Sequence, residues 1–149
     1  MGKGRTSVPT DQSKTARVQW IGKQQFVAVG PSGHAVTFDS DRQSNTAPGP
    51  MEFLLMALGA CTATDVVIIL EKKRQKLQSL EVICSGERAP KPPQVWTKLN
   101  LLYRLRGNLD ESGVKQAIEL SEEKYCSVSA TLKKTAELTW SYEILPAAH

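Results

Sequence analysis

Two of the three cysteines in this chain of 149 residues are candidates for redox chemistry. Cys61 lies in a long apolar run, and Cys126 lies in the polar sequence Glu-Lys-Tyr-Cys-Ser. A cysteine thiolate can attack a peroxide bond and become a sulfenic acid, which a second thiol nearby converts to a disulfide. If the fold brings these two sulfurs together, the chain is a candidate thiol redox enzyme. If it does not, both are ordinary packed side chains, the commoner role of free cysteine.

The three cysteines differ in their expected surroundings. Cys126 would lie at the start of a short helix, where free backbone N–H groups favour a thiolate, and Lys124 adds a nearby positive charge. Cys61 lies more than two turns inside its helix, so a cation from another segment would have to favour its thiolate. Asp65, about one turn later on the same face, would oppose the thiolate. Cys84 alternates with polar neighbours in a strand-like segment and is expected in the core.

Composition argues against several other classes of protein. Two histidines and three cysteines without a CxxC sequence do not supply a zinc site, so no metal or other cofactor is expected. Residues 1–17 hold four basic residues and one acid, so most of the net charge of +4 lies in this N-terminal segment, and nucleic-acid binding by the remainder is disfavoured. No apolar signal segment precedes residue 20, which predicts a cytoplasmic location. Residues 51–70 could span a bilayer by length, but Glu52 and Asp65 favour a buried helix of a soluble protein without membrane contact.

The pattern of apolar residues predicts an α+β fold with an antiparallel sheet. Residues 1–14 read as a flexible basic leader, and residues 15–149 as a single domain. Three strands in the first part should form an antiparallel meander, joined by a turn at Gly30 to Gly33. The predicted elements are strands at 16–21, 25–30 and 34–39, a helix at 50–76, strands around 80–84 and 95–105, helices at 110–123 and 127–134, and a strand at 136–145.

Two segments together resemble a known family. Residues 50–67 read Pro-Met-Glu-x-x-Leu-x-Ala-x-Gly-x-Cys-x-Ala-x-Asp-Val-Val, and residues 123–128 read Glu-Lys-Tyr-Cys-Ser-Val. In this order and spacing they resemble the OsmC/Ohr superfamily, and most closely its YhfA-like branch, over residues 16–145. The resemblance implies an intertwined homodimer in which antiparallel sheets wrap long central helices and the active sites lie at the subunit interface.

The resemblance also implies a reaction and its residues. It makes Cys61 the peroxidatic cysteine and Cys126 the resolving cysteine of an enzyme that reduces organic hydroperoxides in oxidative stress defence. The reductant would be a dithiol such as a lipoyl group. In characterised members a glutamate and an arginine activate the thiolate. Here Glu52 is the candidate glutamate, one position later than in the hydroperoxide reductases.

The family arginine has no counterpart in the first hairpin of this chain. Lys23, Arg42 and Arg17 are the candidate substitutes, and Arg42 is equally explained as a solvated loop charge. A second hypothesis is therefore a non-catalytic member of the fold that binds a small hydrophobic ligand in an apolar pocket at the dimer interface. It predicts unreactive thiols and no turnover.

Overall fold

A computed structural model describes residues 13–149 of the chain. Residues 1–12, which make up most of the predicted basic leader, lie outside the described residues. The chain forms two compact units, one ending at Phe53 and the other running over Leu54–His149. The folding of residues 15–149 as one domain stays a prediction.

The first unit contains the predicted antiparallel meander. Its strands are β1 (Arg17–Gly22), β2 (Gln25–Val29) and β3 (Ala35–Asp39), and β2 pairs with both neighbours in antiparallel register. The β2–β3 connection is a tight turn in which the Gly33 N–H donates to the Gly30 carbonyl at 3.0 Å. Gly33 has φ +87°, a conformation that residues with a Cβ rarely adopt. The sequence prediction for this hairpin is confirmed.

The apolar helix, α1, spans Pro50–Lys72 and is four residues shorter than predicted. It ends because Arg74 adopts φ +56° and the Gln75 N–H donates back to the Leu70 carbonyl, so the chain turns directly into the next strand. Among the described residues it is the one helix whose length and composition would permit a membrane span. This is weak support for a span, because the core helix of a soluble protein passes the same test.

The second unit is built on a mixed sheet. Strands β4 (Lys76–Arg88) and β5 (Trp96–Asn108) pair antiparallel, whereas β6 (Glu137–Leu145) runs parallel to β5. The prediction of a wholly antiparallel sheet was therefore wrong for β6. The physical reason is the helical segment between β5 and β6, since a crossover of this length returns the chain to the end where β5 began.

The core of this unit lies between the sheet and the helices. Helix α2 (Glu111–Leu120) is N-capped by Asp110, whose carboxylate accepts a 2.8 Å hydrogen bond from the Gly113 N–H, as predicted. A π-helical turn (Ser121–Tyr125) and helix α3 (Ser127–Leu132) follow. The fully buried residues of β5, α1 and α2 are Leu101, Tyr103, Leu105, Leu58, Thr62, Val66, Leu70, Val114, Ala117 and Ile118.

Only one stripe of α1 is buried within the chain, at four-residue spacing: Leu58, Thr62, Val66 and Leu70. The prediction of a buried helix is therefore met within a single chain only along this stripe. Apolar side chains on its other faces are exposed, including Met56 at 52% and Ile68 at 44%. Such an uncovered apolar surface is typical of an interaction site.

Gly107 is expected to be needed for the β4–β5 pairing. It has φ +147°, and a Cβ there would collide with the backbone carbonyl oxygen of Lys76. We expect Gly107→Ala to lower the free energy of unfolding by about 2 kcal/mol, because strain and collision add. Gly33→Ala is the control, since Gly33 also has positive φ but nothing within 4 Å of its would-be Cβ. Urea unfolding that gave equal losses for both variants would contradict a role for the Lys76 contact.

Candidate functional site

The second unit brings Cys61 and Cys126 together. Cys61 projects from α1 one position before the buried Thr62, and Cys126 is the N-cap of α3. The Cys61 side chain is close enough to raise the pKa of Cys126, and both thiols are free. Cys61 is half-buried, whereas Cys126 is only 3% exposed. The two sulfurs that lie 65 positions apart in the sequence thus share one site, and Cys61 is the more accessible of them.

The environment of Cys126 keeps its thiol protonated. Its Sγ accepts a hydrogen bond from the Ser129 N–H at 3.3 Å, which lowers the pKa as expected at a helix N-terminus. Burial is the larger effect and, together with Cys61 and the charge of Glu122, it raises the pKa of Cys126 to about 12. The helix end does favour the thiolate as expected, but the thiol stays protonated because burial outweighs one N–H contact.

Lys124 does not supply the charge that was expected beside Cys126. Its ammonium group lies over the ring of the exposed Tyr125, at 5.2 Å from the centroid. None of the principal causes that set the Cys126 pKa is a cation. Among the described residues, the surroundings of this thiol therefore raise its pKa through burial and negative charge.

Glu122 is a site residue that the sequence analysis missed. It is 5% exposed, and its carboxylate accepts hydrogen bonds from the Tyr103 hydroxyl at 3.1 Å and the Ser129 hydroxyl at 2.6 Å. The Lys133 ammonium lies 3.6 Å from the carboxylate and donates to the Glu122 carbonyl oxygen at 2.7 Å. A signal was available, because Glu122 continues the apolar stripe of α2 four residues after Ile118.

Three buried hydroxyl groups connect this carboxylate to a second one. The Thr62 hydroxyl lies 2.6 Å from the Tyr103 hydroxyl and 2.8 Å from the Ser121 hydroxyl. The Ser121 hydroxyl in turn lies 2.9 Å from the Asp65 carboxylate. Burial raises the pKa of Tyr103 far above its usual range, so this side chain remains a neutral phenol. Asp65, expected to act directly on Cys61, is instead bonded to Ser121.

Cys84 packs against α1 near the thiol pair. Its Sγ lies so close to Gly59 that a Cβ at this position would be 2.9 Å from the sulfur. Burial, and then the charge of Glu122, raises the pKa of Cys84. It is half-buried, so the expectation of a core position is met only in part. Because Gly59 has no side chain, the Cys84 thiol can pack against α1 at this position.

The remaining predicted site residues belong to the first unit. Glu52 accepts a hydrogen bond from the Gly49 N–H at 3.2 Å in the first turn of α1. Lys23 is exposed in the β1–β2 turn, where its carbonyl accepts from the Trp20 indole N–H at 2.8 Å. Arg42 is exposed in the loop after β3, and Arg17 is exposed in β1. Their parts in thiolate activation stay predictions.

A cleft on the second unit opens beside Asp65. Its volume is about 440 Å³ and its lining is mostly apolar, formed by Asp65, Ile68, Ile69, Lys72, Lys73, Leu120 and Tyr125. Two lysines lie at its rim and Asp65 forms part of its wall. The cleft therefore lies at the Asp65 end of the hydroxyl chain.

Within residues 13–149 no group of three or more His, Cys, Asp or Glu side chains is arranged to hold a metal ion.

Comparison with known proteins identifies the family. The family model described as OsmC-like protein matches residues 43–141, and the chain belongs to this family. It is 41% identical over 133 residues to Protein YhfA of Escherichia coli strain K12, which covers 89% of this chain and 98% of that protein. The resemblance predicted from the two cysteine motifs is confirmed.

Solved structures agree with the α+β fold of two sheets and helices. A hypothetical protein from Aquifex aeolicus superposes with a TM-score of 0.82 at 30% identity, over 92% of this chain and 99% of that one. The organic hydroperoxide resistance protein OhrB of Bacillus subtilis has a TM-score of 0.65 at 11% identity, over 88% and 98% of the two chains. At that identity the likeness to OhrB is one of fold.

Proposed function

We propose that this protein is a cysteine-based peroxidase that reduces organic hydroperoxides with a dithiol. The observation that carries the proposal is the proximity of the half-buried Cys61 to the buried Cys126. Accessibility assigns attack on the hydroperoxide to Cys61. Burial raises the pKa of Cys126 to about 12, so it remains a thiol and reacts only after Cys61 has been oxidised. Family membership supports the proposal, since proteins of this fold include organic hydroperoxide resistance proteins.

The proposed cycle has three balanced steps. The Cys61 thiolate attacks one peroxide oxygen, so that an S–O bond forms, the O–O bond breaks, and the departing alkoxide takes a proton to become an alcohol. The Cys126 sulfur then attacks the sulfenic acid of Cys61, which forms a disulfide and releases water. An external dithiol, with lipoyl groups as one candidate class, restores both thiols by two exchanges and becomes a disulfide itself.

A second copy of the chain is the proposed cover for the exposed face of α1. Met56 and Ile68 are apolar and about half-exposed in a helix that is buried on one stripe only. A homodimer would remove this surface from water, at roughly 25 cal/mol per Å² of apolar area. The second copy is also the proposed source of the cation that the Cys61 thiolate needs. The proposed location is the cytoplasm, which keeps the thiols reduced.

Oxidation with a single equivalent of hydroperoxide tests the function. We expect one equivalent of cumene hydroperoxide to give cumyl alcohol and a disulfide between Cys61 and Cys126, identified by peptide mass mapping after alkylation. Cys84 should remain free and be alkylated, because its contact is with Gly59. Disulfides that involve Cys84 at equal frequency, or three free thiols after exposure, would contradict the proposal.

Ligand binding without catalysis is the second candidate function. The mostly apolar cleft beside Asp65 and the lack of a cation among the principal influences on Cys126 favour it. In that case the same oxidation experiment leaves all three thiols free. A small hydrophobic fluorophore would bind saturably, and Ile68→Glu in the cleft wall would abolish its binding.

A further inference from the structure

The hydrogen-bonded chain inside the second unit joins two carboxyl groups through three hydroxyl groups. Its order is Asp65, Ser121, Thr62, Tyr103 and Glu122, and its four contacts measure 2.9, 2.8, 2.6 and 3.1 Å. The three hydroxyl-bearing residues are fully buried. One end lies in the wall of the cleft, and the other end raises the pKa of Cys126 through its charge.

The number of protons in this chain does not match two ionised carboxylates. Each hydroxyl carries one proton, so three hydroxyls supply three protons for four contacts. If Ser121 donates to Asp65 and Tyr103 donates to Glu122, the single proton of Thr62 must serve two contacts of 2.6 and 2.8 Å. One of these would then place two oxygen lone pairs against each other, and burial excludes water from relieving it.

We propose that Asp65 and Glu122 share one additional proton, and that the chain between them is a proton relay. With the proton on Asp65, donation runs from Asp65 through Ser121, Thr62 and Tyr103 to Glu122. With the proton on Glu122, every donation runs in the opposite direction. The two forms interconvert when four protons each move across one hydrogen bond, so a proton entering at the cleft leaves at the carboxyl beside the thiols.

The charges around each end fit a transferable proton. Glu122 faces the Lys133 ammonium at 3.6 Å and accepts a hydrogen bond from the Ser129 hydroxyl at 2.6 Å. Lys72 and Lys73 line the same cleft as Asp65, although Lys73 also donates to Gln116 at 2.7 Å. Lysines thus lie near both carboxyl groups. The proton is therefore not confined to one end by the absence of positive charge there.

The relay gives the buried site a proton that the thiols themselves do not supply. Reduction of a hydroperoxide releases an alkoxide, which needs one proton to leave as an alcohol. Proton transfer by a positioned group contributes roughly 100-fold or more to a rate. The proton count follows from the geometry alone, whereas its use in catalysis rests on the proposed function. Thr62, Ser121 and Tyr103 are then positioning residues that act through Glu122.

Infrared spectroscopy of the full chain at neutral pH tests the shared proton directly. A protonated carboxyl group has a C=O stretch that ionised carboxylates lack and that shifts in D₂O. We expect this band in the wild type and its complete loss in Thr62→Val, because Ser121 and Tyr103 can then each donate to an ionised carboxylate without a fourth proton. Thr62→Ser is the matched control and should keep the band, since it restores the hydroxyl.

Ser121→Ala provides a second variant if Thr62→Val does not fold. Loss of this hydroxyl leaves two hydroxyl protons for the two remaining contacts, so the band should again disappear. A wild type without the band, or loss-of-hydroxyl variants that retain it unchanged, would overturn the relay. In a hydroperoxide assay Thr62→Val should be about 100-fold slower than Thr62→Ser. A band that behaves as expected in a protein that reduces no hydroperoxide would instead overturn the proposed function and leave the relay standing.

Discussion

Replacing Cys61 with serine is expected to abolish hydroperoxide reduction, with a loss of at least about 1,000-fold, because a hydroxyl does not replace a thiolate as the attacking group. Cys61 is the only one of the thiol pair with appreciable access to solvent, since Cys126 is 3% exposed. The reaction therefore has no second route through the buried partner. Consumption of cumene hydroperoxide with excess dithiol, followed by peroxide titration, measures the effect.

Two further serine variants separate attack from resolution. Without added dithiol, Cys126→Ser should use one equivalent of hydroperoxide to form the Cys61 sulfenic acid and a second to form the sulfinic acid, because no partner thiol closes a disulfide. Mass spectrometry detects that product as the addition of two oxygens. Cys84→Ser should turn over at the wild-type rate. Wild-type turnover by Cys61→Ser would refute the assignment of the nucleophile, whatever the other two variants do.

Replacing Glu122 with leucine is expected to lower the free energy of unfolding by about 3 kcal/mol. The substitution leaves the buried Ser129 hydroxyl without its acceptor, which costs about 1–3 kcal/mol, and the Tyr103 hydroxyl loses its bond to a charged group, worth about 1.5–3 kcal/mol, although it keeps Thr62 as a partner. The exposed ammonium group of Lys133 can turn to water, so it adds little. The melting temperature should fall by roughly 10 °C, which differential scanning calorimetry measures.

Two controls identify the acceptor role of Glu122. Glu122→Gln retains a carbonyl oxygen that accepts from one hydroxyl, so it should cost only about 1 kcal/mol. Glu123→Leu changes the exposed neighbour in the same π-helical turn and should leave the melting temperature nearly unchanged. If Glu122→Leu were as stable as Glu123→Leu, the carboxylate would not be the acceptor that holds Tyr103 and Ser129.

The elements of this chain follow from local patterns to a large extent. The meander, the start of α1 at Pro50, the Asp110 cap and the position of β6 were all predicted, because periodicity and capping residues act over a few positions. The end of α1 was misplaced by four residues, since its charged last residues suit helix and turn equally well. The direction of β6 was also wrong, because pairing between distant strands has no local signature.

The sequence by itself determined the family, the candidate pair of cysteines and the order of the elements that carry them. Only the tertiary structure decided that Cys61 and Cys126 are neighbours, that Glu122 is buried near Cys126, and that three hydroxyls connect Glu122 to Asp65. It also added the burial of Cys126, which outweighs the expected effect of the α3 N-terminus on its pKa. The physical reason is that spacing along a helix is a short-range property, whereas burial and hydrogen-bond partners depend on which distant segments pack together. Desolvation, the largest influence on the Cys126 pKa, exists only after that packing.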